Sequence, residues 1–82
     1  MMPPAPRLNL TVTTNRATGQ IRLEWDYRHA PEAVSQQQEG LSTADLDRAL
    51  ASIRADGWTL ESQCANPGRE SFVETYTFVL AE

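Results

Sequence analysis

An 82-residue chain is long enough for one hydrophobic core and too short for two. At 40% hydrophobic and 22% charged residues, its composition is that of an ordinary globular domain and not of a disordered segment. A net charge of −4 gives no positive field for nonspecific nucleic-acid binding, and no apolar run approaches a membrane span.

All seven basic residues are arginines. Arginine offers planar bidentate donors to carboxylates and phosphates, while genomic base composition is the plainer explanation. Cys64 stands alone, which leaves no intramolecular disulfide or cysteine-based zinc set and fits a reducing compartment. The opening Met-Met-Pro-Pro-Ala-Pro-Arg has prolines where a signal peptide needs an apolar run. The expectation is a cytoplasmic protein of a bacterium or of a phage-infected cell.

Residues 1–6 read as a loosely ordered, proline-rich lead into a single domain over 7–82. From Arg7 the chain alternates strictly, with Leu8, Leu10 and Val12 on one side and Arg7, Asn9, Thr11 and Thr13 on the other, a half-buried strand. Asn-Arg-Ala-Thr-Gly is a turn. A second strand carries Ile21, Leu23, Trp25 and Tyr27 on one face and Arg22, Glu24, Asp26 and Arg28 on the other. Pairing Val12 with Ile21, Leu10 with Leu23 and Leu8 with Trp25 keeps the apolar residues together in a hairpin.

Residues 29–41 show neither period and include Pro31, three glutamines and Gly40, so they read as a mobile connection. Ser42 and Asp45 then form a capping box, and Leu41 with Leu46 suits a hydrophobic staple. Leu46, Ala49, Leu50 and Ile53 form the buried stripe of the helix that follows. Gly57 sits where the chain must turn left-handed to leave that helix, and Trp58 packs back toward Ile53 while opening the third strand. There Trp58, Leu60, Ser62 and Cys64 alternate inward. After a Pro67-Gly68 turn, the last strand carries Phe72, Tyr76, Phe78 and Leu80 on one face and Val73, Thr75, Thr77 and Val79 on the other. Being apolar or β-branched on both faces, it belongs in the middle of the sheet.

The fold expected is α+β, a two-layer β-β-α-β-β domain. A right-handed crossover through the helix sets the third strand parallel to the second, and the fourth fills the gap between them. The result is a four-stranded antiparallel sheet of order 1-2-4-3 with one helix across one face.

Trp25-Asp26-Tyr27, Gly57-Trp58-Thr59-Leu60 and Tyr76-Thr77-Phe78 resemble the motifs of a small bacterial and phage family of unknown function. Its members have a Trp-Glu-Tyr strand, a short helix, a Gly-Trp-Glu-Leu strand and an aromatic-rich final strand. The resemblance covers about two thirds of the chain. It implies the fold and carries over no catalytic residue. This chain departs from the family pattern in its additional N-terminal strand and in lacking a basic ending.

Chemistry is sparse. His29 has no partner at metal-ligand spacing and reads as an exposed loop histidine. Cys64 reads as a buried, unreactive thiol. Asp45 and Asp47 are accounted for by the helix dipole. No metal, cofactor, nucleotide loop or catalytic residue is expected. Glu74 shares the inner face with Phe72 and Tyr76, where an unpaired carboxylate is costly. Matched inner faces place it near Ser62. It reads as peripheral, as displaced by a bulge, or as a polar site under the helix edge.

On the helix-free face Val73, Thr75, Thr77 and Val79 make a mildly apolar strip, flanked by Arg22, Arg28, Glu24, Asp26, Glu61 and Gln63. Such a strip is either a plain solvated face or an interface. The function expected is that of a non-enzymatic interaction module, a small phage or bacterial accessory or inhibitor protein. It forms a homodimer or docks a protein partner, with neither nucleic acid nor membrane involved, through Arg22, Arg28, Val73, Thr75, Thr77 and Val79. The alternative is a binding protein for an anionic nucleotide or metabolite, held by Trp25, Tyr27, Arg22, Arg28 and Glu74.

Overall fold

Strict alternation makes β1 (Arg7–Asn15) the spine of the sheet, because Leu8, Leu10 and Val12 all lose their entire accessible surface. The computed structural model describes residues 5–29 and 36–80. The elements are β1, β2 (Ile21–Arg28), β3 (Gln36–Leu41), α1 (Thr43–Ala55), β4 (Trp58–Pro67) and β5 (Ser71–Leu80). The five strands form one antiparallel sheet in the order β3-β2-β1-β5-β4.

The α+β class and the single helix follow the expectation; the sheet does not. It has five strands, not four in the order 1-2-4-3. The stretch expected as a mobile connection contributes β3 from Gln36 onward, and residues 30–35 of that stretch lie outside the described residues. β3 takes the free edge of β2, so the final strand finds its open edge on β1 instead. β3 escapes the alternation test because Gln36 to Gly40 are all exposed, and an edge strand with no apolar face leaves no period to read. At Glu39–Gly40 the ladder to β2 shifts register, and Gly40 takes a φ of +70°, which a bulge of this kind asks of glycine.

The β1–β2 hairpin keeps the expected faces with a register two residues away: Val12 opposes Leu23, Leu10 opposes Trp25 and Leu8 opposes Tyr27. A shift of two preserves the side of every residue, so the hydrophobic pattern alone does not choose between the two registers. The Asn15 side chain accepts from the Ala17 and Thr18 amides at 2.9 and 3.3 Å, which shapes the turn between the two strands.

The helix forms as its sequence dictates. Ser42 caps it, its amide donating to Asp45 Oδ2 at 2.9 Å while its hydroxyl accepts from the Asp45 amide at 3.3 Å. Those hydrogen bonds, the backbone one first, hold the Asp45 carboxyl below its ordinary pKa. At the other end Gly57 has a φ of +96° and donates to the Arg54 carbonyl at 3.0 Å.

The core comprises Leu8, Leu10, Val12, Ile21, Leu23, Ile53 and Phe78, with Leu46, Leu50, Trp58, Leu60 and Tyr76 among the half-buried residues around it. Each buried aliphatic or aromatic side chain contributes about 1.5–3 kcal/mol, much of it offset by chain entropy. The helix crosses from the β3 edge to the start of β4 and leaves the far part of the β4–β5 hairpin uncovered. Every residue from Glu61 to Glu70 is exposed. The molecule accordingly measures 48 × 21 × 18 Å, and its 13.5 Å radius of gyration exceeds the roughly 12 Å of a spherical domain this size.

A bulge between Leu60 and Ser62 changes which residues of β4 face the helix. Before it, Trp58 and Leu60 point to the core. After it, Ser62 opposes Thr77 and Cys64 opposes Thr75, so both turn to the helix-free face. Cys64 is therefore exposed, not a buried thiol, and Gln63 moves from the expected open face to the helix side. Among the described residues, no helix is long and apolar enough to cross a membrane.

Candidate functional site

The helix-free face is built from the residues of β1 and β5 that alternate with the core. On β1 these are Asn9, Thr11 and Thr13; opposite them on β5 stand Thr77, Thr75 and Val73, with Val79 opposite Arg7. All seven short side chains are half-buried, and none carries a charge. Thr77 Oγ1 donates to Asn9 Oδ1 at 3.1 Å across the strand pair. The strip expected on β5 is thus continued by a row on β1 that was expected at the far edge. The signal for that row was the strict alternation of 7–13; what concealed it was the position of β1 in the sheet.

Charge lies on the flanks and is paired within the face. Arg22 Nη2 sits 3.0 Å from Glu24 and its Nε 3.6 Å from Glu39 on β3. Arg28 reaches Asp26 at 3.5 Å. At the β4 flank, the bulge residue Glu61 accepts from Arg7 Nη1 at 3.0 Å. All of these side chains are roughly half exposed or more, so each pair is worth well under ~1 kcal/mol. The expected flank changes accordingly: Arg22 and Arg28 lie on β2, separated from the β5 strip by β1, while Ser62, Cys64 and Asn66 border it directly on β4.

The residues of the alternative ligand site do not converge. Trp25 and Tyr27 pack against the core on the helix side, whereas Arg22 and Arg28 point to the opposite face, already engaged by carboxylates. Glu74 is on the helix side in another part of the sheet, opposite Val12 and Ala65, not near Ser62. It accepts hydrogen bonds from Tyr76 Oη at 3.0 Å and Gln63 Nε2 at 3.1 Å, a half-buried carboxylate satisfied at the margin of the core. Burial first, then the Glu74 hydrogen bond and charge, raise the Tyr76 pKa above its ordinary value. His29 is exposed at the end of β2 with a φ of +56°.

A shallow cleft of about 240 Å³ opens at one end of the helix-free face between Thr13, Asn15, Arg22, Glu39 and Ser71. Its two strongest polar groups, Arg22 and Glu39, are paired with each other, and the Asn15 side chain is committed to its turn. Among the described residues no three histidine, cysteine or carboxylate side chains gather to hold a metal. In comparison with known proteins, the chain matches no family model, no curated protein and no solved structure.

Proposed function

We propose that this protein is a non-enzymatic interaction module that associates with a second copy of itself through the helix-free face of its sheet. One observation carries the proposal: the two central strands present a two-column ladder of short, uncharged, half-buried side chains, with every arginine of the face held by a carboxylate at its margin. An uncharged centre with a polar rim is the anatomy of a protein interface. A face whose charges are internally paired offers little to a polyanion or to a small anionic ligand, and it accepts another copy of this acidic chain without bringing uncompensated charge to the contact. The small domain also gains from added burial.

The sheet curls toward the helix, so the contact is confined to β1 and β5 and the association is weak and concentration-dependent. Native mass spectrometry on protein purified gently is the test. A dimer that disappears in Val73→Glu/Val79→Glu is the expected result. A bound small molecule on a monomer points to the ligand reading instead and overturns the proposal.

A further inference from the structure

Of the four aspartates and three asparagines in the chain, Asp56 alone precedes a glycine. The others precede Leu, Arg, Tyr or Pro, whose side chains shield the next nitrogen or, for proline, leave it no hydrogen. An aspartate before glycine can cyclise. The glycine nitrogen bonds to the side-chain carboxyl carbon, and the carboxyl hydroxyl leaves with the amide hydrogen as water. The cyclic imide then takes water back at either of its carbonyls. One opening restores aspartate; the other yields isoaspartate, with the main chain rerouted through the former side chain. Asp56 and Gly57 are both exposed, so water reaches the imide.

The helix terminus holds this reaction back. Asp56 is the C-cap of α1 with a ψ of 2°, and the Gly57 amide donates to the Arg54 carbonyl at 3.0 Å. At that ψ the Gly57 nitrogen is turned away from the side of the Cα–C bond that carries Cβ, so it cannot reach the carboxyl carbon. Ring closure needs a large rotation of the Asp56 ψ. That rotation breaks the hydrogen bond to Arg54 and swings Trp58 off the Tyr27 ring. Asp56 lies close to this aromatic contact, since burial first and the Asp56 charge second raise the Tyr27 pKa.

We infer that Asp56–Gly57 is a self-modification site gated by the C-terminal cap of α1. It reacts only in the fraction of molecules whose cap is open. The water lost in cyclisation is regained in hydrolysis, so the net change is an isomerisation that needs no oxidant, reductant or second substrate. Isoaspartate adds one methylene to the main chain between α1 and β4. The left-handed turn at Gly57, with its φ of +96°, then no longer returns Trp58 to the end of the core. The site lies between the helix and β4, outside the helix-free face, so the inference stands independently of self-association.

The experiment follows isoaspartate at residue 56 in warm neutral buffer by peptide mapping. Three samples are compared: native wild type, wild type unfolded in guanidinium, and native Tyr27→Leu, which removes the ring beside Trp58 and keeps an apolar residue. Amide exchange at Gly57 reports cap opening in the two native samples, and circular dichroism shows that both are folded. Isoaspartate is expected to form fastest in the unfolded chain and roughly 5–30-fold more slowly in the native wild type, the factor a local opening imposes. Tyr27→Leu is expected between them, accelerated in step with its Gly57 exchange. Native wild type reacting as fast as the unfolded chain overturns the gating. So does a Tyr27→Leu protein whose Gly57 exchanges faster while its isomerisation does not. An unfolded chain that forms no isoaspartate at residue 56 overturns the site itself.

Discussion

The rings of Tyr27 and Trp58 lie 6.0 Å apart at an angle of 54°, although β1 and β5 separate their strands in the sheet. Three strand spacings amount to about 14 Å, so the pair meets because the sheet curls and both rings lean over the helix-side face. They close the end of the core that contains Leu8 and Phe78, each with almost no exposed surface. Trp58→Ala opens that end and costs about 3 kcal/mol, measured as a fall in the urea midpoint at unchanged slope. A loss under about 1 kcal/mol contradicts the closing role.

Gly57 terminates α1 at a φ of +96°, where an added methyl group meets only Leu80 Cδ1 at 3.7 Å. Space therefore permits alanine, and the backbone conformation alone resists it. Gly57→Ala is expected to cost about 1–2 kcal/mol, and Gly57→Asn less, since asparagine visits the left-handed region more readily. Equal losses for the two variants contradict the conformational explanation.

The Asp45 carboxyl is held below its ordinary pKa by the Ser42 amide, and its charge is then present in the folded state across the neutral range. A depressed carboxyl stabilises the fold above the unfolded pKa, and that contribution fades as acid protonates the folded group. Ser42→Ala removes the reciprocal cap at a cost of about 1 kcal/mol. The difference between wild type and Asp45→Asn is expected to shrink on acidification through the carboxylate range, followed by thermal denaturation at several pH values.

Tyr76 behaves in the opposite sense. Its hydroxyl is half-buried and donates to Glu74, so its pKa lies above the ordinary tyrosine value in the folded protein. This neutral-form preference stabilises the fold below the unfolded pKa and is lost as pH rises through the folded one. Glu74→Gln removes the negative charge, and the tyrosinate absorbance of Tyr76, isolated by difference against Tyr76→Phe, is expected to appear at lower pH. An unchanged titration contradicts the coupling.

Local chemistry was legible in the sequence and long-range order was not. The capping box of Ser42 and Asp45, the left-handed Gly57 and the buried set Leu8, Leu10 and Val12 each depend on a few neighbouring residues. The strand order depends on which edge of the first hairpin is free, and that was decided by β3, whose glutamines carry no apolar period. The bulge at Glu61 was hidden for a similar reason: beyond Leu60, β4 offers no large side chain whose direction betrays a change of face. The β5 strip of the candidate face was readable because β5 alternates along its whole length. Its β1 companions became visible only with the neighbour relation.

Sedimentation equilibrium across a wide concentration range tests the central claim most directly, since the elongated shape distorts gel filtration but not an equilibrium mass. Wild-type protein is expected to rise from its 9.2 kDa monomer toward twice that mass as concentration increases. Val73→Glu/Val79→Glu and, separately, Thr75→Arg are expected to stay monomeric while keeping the circular dichroism of the folded domain. A wild type that remains at 9.2 kDa up to the solubility limit, or folded variants that associate as the wild type does, contradicts a role for the helix-free face.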